Sequence, residues 1–416
     1  MPLTREHARD LDAADPLADC RRVVARVDDV LYLDGNSLGR MPVATPPVLR
    51  ALVEEEWGRD LVRSWPAWLD LATETSDLLG REILGVGPGQ VVISDTTTVN
   101  LYKLAVAAVR ARPGRRRIVV EEDNFPTDLY VLDGVARDHG LELTRIPTDI
   151  DDGVRAADLR AVLGDDVALV ALSHVSYRSG ALLDMVGLTR LAHEAGALVL
   201  WDLCHSAGAA LTPLSESEVD LAVGCTYKYL NAGPGAPAYL YVRADLQAQL
   251  RSPIQGWFGQ TDQFAMGPDY EPVEGIERFL AGSLPVPGIL AVREGVNSLA
   301  AAGVPALRDK GVALTEYLIS LADAWLEPLG FRLASPREGA LRGSHVTLEH
   351  PQAWQVCQAW IADGVIGDFR TPDRLRIGPA PLYTSFEEVW VAMDRLRTIV
   401  EAGTHLTFPT ERSRVT

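Results

Sequence analysis

The chain contains very little lysine. Of its 39 basic residues only Lys103, Lys228 and Lys310 are lysines, and the other 36 are arginines. Arginine replaces lysine readily on a solvated surface, but it cannot replace an amine that must lose its proton. Each remaining lysine therefore needs a reason. Lys310 lies in the polar start of a predicted helix and is expected at the surface, and Lys103 is expected to extend from the side of another helix.

Cysteine, positive charge and long apolar runs are also scarce. The four cysteines show no C-x-x-C spacing and the eight histidines no H-E-x-x-H spacing, so neither a metal site nor a disulfide framework is expected. The net charge of −18 repels nucleic acid phosphates and anionic lipid. No apolar run approaches the roughly 18 residues that span a bilayer, and the N-terminus lacks the apolar core of a signal peptide. We therefore expect a cytoplasmic protein that binds neither nucleic acid nor membrane.

The overall composition is that of a globular protein. The length of 416 residues indicates two or three domains. Short apolar segments alternate with helical patterns, and strands are predicted at residues 91–93, 117–121, 141–145, 167–172, 197–201, 221–224 and 236–242. This alternation predicts an α/β fold with a mainly parallel sheet flanked by helices. The last two strands are expected to be antiparallel neighbours, because only a short loop joins them. We predict an N-terminal segment (1–50), a large domain (51–290) and a smaller α+β domain (291–416).

Polar side chains follow several of these strands, and open α/β sheets place their sites at that edge. Asp202 follows the strand at 197–201, and Lys228 stands between Tyr227 and Tyr229 after the strand at 221–224. Partial burial lowers the pKa of such a lysine, which suits a Schiff-base former or a proton shuttle. Structural roles remain open: Asp202 as a cap or turn residue, and Lys228 as a lysine that extends from a strand end.

Three further loops carry candidate ligand groups. Thr97 and Thr98 start a predicted helix, where hydroxyl and backbone N–H groups form an anion site. Phe125 and Asp128 follow the strand at 117–121, and Ser173 follows the strand at 167–172. Helix capping and plain loop structure are the alternatives at these positions. A phosphate site, an aromatic ring face, a buried carboxylate and a lysine amine are together what pyridoxal phosphate requires.

Seven stretches between about residues 28 and 400 resemble kynureninases, and they occur in the family's order. They are LYLDGNSLGRMP (31–42), NFPTDLY (124–130), LSHVSYRSG (172–180), WDLCHSAGA (201–209), GCTYKYLNAGPGAPAYLYV (224–242), GWFGQ (256–260) and RIGPAPLY (376–383). Kynureninases are fold-type I pyridoxal-phosphate enzymes of tryptophan catabolism. They are homodimers that hydrolyse L-kynurenine to anthranilate and L-alanine. The resemblance implies this fold, with a seven-stranded sheet in the large domain, as well as this activity, cofactor and substrate.

The resemblance also implies roles for individual residues around the cofactor. Lys228 would form the Schiff base, Asp202 would pair with the pyridine nitrogen, and Phe125 would stack on the ring. The remaining residues, which complete the polar surroundings or bind the phosphate, would be Thr97, Thr98, Asp128, Ser173, His205 and Tyr227. Tyr227 is in addition a candidate proton relay beside Lys228.

Other positions match groups that bind substrate or reach across the dimer. Trp257 and Ser283 match residues that approach the cofactor phosphate of the neighbouring subunit. Serine at 283 departs from the threonine or asparagine common in the family. Arg376 would grip the substrate carboxylate, while Trp65 and Gly282 would lie beside the aniline ring. Family members with glycine at the position of Gly282 tend to prefer kynurenine over 3-hydroxykynurenine.

Other functions stay open at this point. A cysteine desulfurase needs a mobile cysteine, and Cys357 has no obvious flexible loop around it. An aminotransferase of the same fold would need an added keto acid to release alanine. A pyridoxal-phosphate-binding protein without catalysis is a third possibility. A Rossmann dehydrogenase is disfavoured, since no G-x-G-x-x-G follows the first strand.

Overall fold

The computed structural model describes residues 3–27 and 29–412. Its strands, in chain order, are β1 (Leu31–Tyr32), β2 (Val91–Ile93), β3 (Arg117–Glu121), β4 (Glu142–Ile146), β5 (Val167–Ser173), β6 (Leu198–Asp202), β7 (Leu221–Gly224), β8 (Tyr239–Val242), β9 (Arg332–Leu333), β10 (Val346–Glu349), β11 (Val365–Ile366), β12 (Asp368–Arg370) and β13 (Arg374–Ile377).

The α-helices alternate with these strands. They are α1 (Arg5–Ala13), α2 (Thr45–Ala51), α3 (Trp65–Leu79), α4 (Thr97–Arg110), α5 (Pro126–Asp138), α6 (Ala156–Val162), α7 (Met185–Glu194), α8 (Ala244–Gln247), α9 (Val286–Ala302), α10 (Val304–Trp325), α11 (Ala353–Ala362) and α12 (Phe386–Glu401). Within the described residues, none of the helices combines the length and the apolar character needed to cross a bilayer.

The large sheet has seven strands in the order β2-β8-β7-β6-β5-β3-β4. The strands from β7 to β4 pair in parallel, whereas β8 runs antiparallel to both β7 and β2. The predicted α/β fold with a mainly parallel sheet is therefore confirmed. The last strand begins three residues later than predicted, because Gly233 and Gly235 adopt φ values of +87° and +75° in the preceding turn.

The central strands are apolar because helices cover the sheet. Every residue of β5 is buried, and β6 is buried up to Asp202 at its carboxyl end. Parallel strands of this kind read as continuous apolar runs rather than alternating ones. The polar residues that follow them are therefore brought to one edge of the sheet.

The C-terminal part has its own antiparallel sheet, in the order β12-β13-β10-β9, with α10, α11 and α12 against it. The N-terminal segment packs on this part of the molecule: β1 pairs in parallel with β11, and Ala8 and Leu33 lie in the same hydrophobic core. The exact domain boundaries stay a prediction.

Neither Lys310, expected at the surface, nor Lys103, expected to extend from the side of a helix, is exposed. Lys310 is only 5% exposed, and its Nζ lies 2.8 Å from Oδ2 of Asp15 in the N-terminal segment. Lys103 is 0% exposed and donates to Asp95 Oδ2 at 2.7 Å. Both expectations were wrong because tertiary packing closes over each amine; for Lys310, the counter-charge comes from a distant segment.

Candidate active site

A cavity of about 320 Å³ lies at the carboxyl edge of the large sheet. Nine of the eleven predicted cofactor residues line it: Thr97, Thr98, Phe125, Asp128, Ser173, Asp202, His205, Tyr227 and Lys228. They come from the ends of β3, β5, β6 and β7 and from the start of α4, as the position of sites in open α/β sheets leads one to expect.

Lys228 lies directly against an uncharged histidine. Its Nζ is 3.2 Å from His205 Nε2 and 5.9 Å from the ring centroid of Tyr227. Burial, together with the nearby charge of Lys228, holds the pKa of His205 well below its usual range. A neutral imidazole can accept a hydrogen bond, so His205 can orient the Lys228 amine without placing a second positive charge beside it.

Three carboxyl groups lie close to one another at this edge of the sheet. Glu121 and Asp202 end β3 and β6, and Asp128 lies in the first turn of α5. Burial raises the pKa of Glu121 to about 8, and burial beside Asp202 and Glu121 raises the pKa of Asp128 well above its usual value. This acid-rich region favours a cationic group.

Another part of the cavity lining, at the start of α4, suits an anion. The side chain of Thr96 caps α4 by accepting from Val99 N, and Thr97 and Thr98 form its first turn. The N-terminus of a helix presents free N–H groups and a positive dipole end to a phosphate. Phe125 is 42% exposed and contacts Tyr177 edge-on, with ring centroids 5.3 Å apart.

These features fit pyridoxal phosphate. The buried carboxyl groups suit a protonated pyridine nitrogen, the start of α4 suits a phosphate, and Lys228 supplies an amine for the aldehyde. The fold and the cavity together define a pyridoxal-phosphate-dependent enzyme of fold type I.

Arg376 lies on β13, outside the residues that line the cavity, and is 1% exposed. Its Nε and Nη2 donate to Oδ1 and Oδ2 of Asp368 at 2.8 and 2.5 Å. Nη2 also donates to Ser37 Oγ at 2.8 Å, and Nη1 donates to the carbonyl oxygen of Tyr177 at 2.6 Å. One edge of the guanidinium is thus held by Asp368, and its end faces Ser37 and Tyr177.

The predicted residues Trp257, Ser283, Gly282 and Trp65 lie apart from this cavity. Trp257 is 45% exposed, and Gly282 and Ser283 are exposed as well. Trp65 and Ser283 line a second, largely apolar cavity of about 470 Å³. Their predicted roles remain predictions.

The structure also brings three residues to the site that sequence reasoning did not single out. Glu121 accepts from Ser173 N at 2.8 Å, and Asp368 holds Arg376. His345 is fully buried, with its ring centroid 5.7 Å from that of His205. Glu121 had the same signal as Asp202, a carboxylate at the end of an apolar strand. The other two had none, since they come from the C-terminal sheet region.

Comparison with known proteins agrees with the site. The family model described as Kynureninase C-terminal domain matches residues 307–396, and the model described as Aminotransferase class-V matches residues 81–339. The chain is 43% identical over 411 residues to the kynureninase of Pseudomonas fluorescens, and 42% identical over 408 residues to that of Burkholderia pseudomallei (strain 1106a). Each alignment covers 96% of both chains. The chain belongs to the kynureninase family.

Solved structures of lower identity share the fold. The apo cysteine desulfurase of Thermococcus onnurineus NA1 superposes with a TM-score of 0.81 at 19% identity, covering 92% of this chain and 98% of that one. A complex of the cystine C-S lyase C-DES with cysteine persulfide gives a TM-score of 0.78 at 18% identity, covering 88% and 97%. At such identities the likeness describes architecture, and it confirms the predicted fold type.

Proposed function

We propose that this protein hydrolyses L-kynurenine to anthranilate and L-alanine with pyridoxal phosphate as cofactor. The observation that carries the proposal is the convergence of Lys228, Asp202 and the start of α4 on one cavity in a chain that belongs to the kynureninase family. We place the reaction in tryptophan catabolism and in the cytoplasm.

In this proposal the predicted residues bind different parts of the cofactor. Lys228 holds the aldehyde carbon, and Asp202 pairs with the pyridine nitrogen. Phe125 covers the ring, and Asp128, Ser173 and His205 complete its polar surroundings. Thr97, Thr98 and Tyr227 hold the phosphate.

When bound, the cofactor withdraws electrons from the substrate so that its Cβ–Cγ bond can break. The chain supplies the proton transfers. Lys228 Nζ, 3.2 Å from neutral His205, takes the proton from the substrate α-carbon and returns it after cleavage. Burial raises the pKa of the Tyr227 hydroxyl, which therefore stays protonated and can donate to the phosphate or relay a proton to Lys228.

Arg376 binds the substrate carboxylate from the free end of its guanidinium. Asp368 occupies the edge formed by Nε and Nη2, so the end that now contacts Ser37 Oγ and the carbonyl oxygen of Tyr177 is the part left for substrate. Exchange of the Ser37 contact for a carboxylate would give charge-assisted hydrogen bonds, which are about twice as strong as neutral ones.

The proposal includes a homodimer whose subunits share their active sites. The side chains of Trp57, Leu61 and Val62 are 63%, 56% and 74% exposed around the second cavity that contains Trp65 and Ser283. A contiguous exposed apolar surface of this kind is typical of an interface. In the dimer, Trp257 and Ser283 would complete the cofactor site of the neighbouring subunit, and Trp65 and Gly282 would line the aniline ring.

A direct assay tests the activity. Purified protein loaded with pyridoxal phosphate is incubated with L-kynurenine, and anthranilate is followed by its fluorescence while alanine is quantified separately. We expect equal amounts of both products without added keto acid, and none with Lys228→Ala. Alanine formed only when pyruvate is added, with no anthranilate, would favour an aminotransferase, because transamination leaves the Cβ–Cγ bond of kynurenine intact. Release of sulfur from cysteine instead would favour a desulfurase, although Cys357 is buried within α11.

A further inference from the structure

Lys103 connects two parts of the chain that the proposed function assigns to different active sites. It lies on α4, the helix whose first turn contains Thr97 and Thr98. Its Nζ donates to Asp95 Oδ2 at 2.7 Å and to the carbonyl oxygen of Phe279 at 2.6 Å, and Ser94 Oγ lies 3.5 Å away. One amine therefore bonds to residues 94–95, which precede the proposed phosphate-binding helix α4, and to Phe279, in the segment that leads to Ser283.

The segment around Phe279 is in turn packed backbone to backbone against the segment that carries Trp257. A Cβ atom on Gly256 would lie 1.9 Å from the carbonyl oxygen of Ala281, so only glycine allows this approach. Phe258 N also donates to that oxygen at 3.4 Å. Residues 256–260 and 279–283, here called the paired loops, thus form one unit that Lys103 anchors at Phe279.

The chemistry at this position calls for lysine rather than arginine. An ammonium group has three N–H donors directed toward the corners of a tetrahedron, and three acceptors surround it here. The planar guanidinium of arginine does not match that arrangement. The amine is 0% exposed, so its loss would leave the Asp95 carboxylate and the Phe279 carbonyl without their donor. This requirement accounts for a lysine in a chain that uses arginine almost everywhere else.

We propose that Lys103 is a positioning residue that orients the paired loops so that Trp257 and Ser283 complete the cofactor site of the neighbouring subunit. The proposal rests on the dimer with shared sites in the proposed function. Lys103 touches neither cofactor nor substrate, and it acts on the neighbouring site through the loops. Loss of Lys103 in one subunit should therefore weaken cofactor binding at the active site of the other subunit, whose cavity residues are all unaltered.

Mixed dimers separate this effect from damage within one subunit. A subunit carrying Lys103→Met and Lys228→Ala is paired, through two affinity tags, with a wild-type subunit. The only Lys228 amine then belongs to the active site of the wild-type subunit. In the proposed dimer, the paired loops that complete this site come from the altered subunit. Apo dimers are titrated with pyridoxal phosphate, and the cofactor that borohydride fixes to Lys228 reports occupancy of this site. We expect its dissociation constant to rise by about 5- to 100-fold, the range for loss of a buried hydrogen-bonded partner.

Matched controls use the other buried lysine. Lys310→Met also removes a buried amine beside an aspartate, but the ion pair of this amine is with Asp15 and involves neither of the paired loops. Its mixed dimer, and the dimer with Lys228→Ala alone, should bind cofactor equally well. If Lys103→Met subunits do not fold, Asp95→Asn in the same design weakens the same anchor, and it should raise the dissociation constant to a smaller extent.

A further mixed dimer distinguishes failure of this proposal from failure of the proposed function. It carries Ser283→Ala and Trp257→Ala in the Lys228→Ala subunit. If this dimer binds cofactor as the control does, the shared site is wrong, and the role of Lys103 is wrong with it. If it binds weakly while neither the Lys103→Met nor the Asp95→Asn dimer differs from the control, the shared site stands and the role of Lys103 is overturned.

Discussion

Asp368 holds Arg376 along one edge of its guanidinium, with both carboxylate oxygens engaged at 2.8 and 2.5 Å. Both side chains are about 1% exposed. A second arginine, Arg370, also contacts Asp368, through Nη2 at 2.6 Å. The orientation of the proposed substrate-binding arginine is thus fixed by a neighbour that comes from the adjacent strand β12.

Asp368→Asn should weaken substrate binding without loss of cofactor. The amide keeps the shape of the carboxylate but removes its charge and one acceptor, so Arg376 loses its two-pronged support. We expect KM for kynurenine to rise by about 10- to 100-fold, with a smaller change in kcat. Steady-state kinetics measures this, and Asp323→Asn, at the exposed pair with Arg337, serves as control. An unchanged KM would mean that Arg376 does not need Asp368 to bind substrate.

Borohydride reduction of the loaded protein should fix the cofactor to Lys228 alone. Lys228 lines the cavity, whereas Lys103 and Lys310 are 0% and 5% exposed and each lies against an aspartate. Peptide mapping by mass spectrometry identifies the modified residue. A pyridoxyl group on Lys103 or Lys310 would show that the assignment of the cofactor lysine is wrong.

The local sequence pattern was sufficient to predict the large sheet. Its strands are continuous apolar runs, and strands and helices alternate along the chain. Together with the resemblance to kynureninases, this pattern also located the nine cavity residues, since the carboxyl ends of parallel strands must meet at one edge. Two features that the local pattern did not predict involve distant segments. The burial of Lys310 depends on Asp15, and the pairing of β1 with β11 joins residues more than 300 positions apart. Contacts between such distant segments produce no local hydrophobic periodicity in the sequence from which they could be predicted.

Glu121 should make the stability of the apoprotein depend on pH. Burial, with Asp202 and Asp123 nearby, raises its pKa from 4.5 to about 8. Between these values the folded state holds a proton that the unfolded state releases. The stabilisation is therefore complete below pH 4.5 and is lost as the pH rises through about 8.

Glu121→Gln isolates this contribution, because the amide oxygen can still accept from Ser173 N while the titration is removed. Urea unfolding of both apoproteins at pH 5.5 to 8, about the range in which the difference develops, gives the comparison. The free energy of unfolding of the wild type should fall relative to that of the variant by on the order of a few kcal/mol. Parallel pH profiles would show that Glu121 does not titrate in this range.

Gly282 should make the enzyme prefer kynurenine over 3-hydroxykynurenine. Glycine offers no side-chain partner for a ring hydroxyl, and burying an unpaired hydroxyl costs about 1–3 kcal/mol. We expect kcat/KM for kynurenine to exceed that for 3-hydroxykynurenine by about 5- to 100-fold. Gly282→Ser tests the cause, since a Cβ atom at 282 meets no atom within 4 Å in the subunit.

The added hydroxyl of Gly282→Ser should reduce that ratio several-fold, chiefly by improving kcat/KM for 3-hydroxykynurenine. Ser283→Thr, which keeps the neighbouring hydroxyl, is the control and should leave the ratio close to that of the wild type. Steady-state kinetics with both substrates decides the matter. If the wild type treats the two substrates equally, or if Gly282→Ser leaves the ratio unchanged, the ring hydroxyl is recognised by another part of the site.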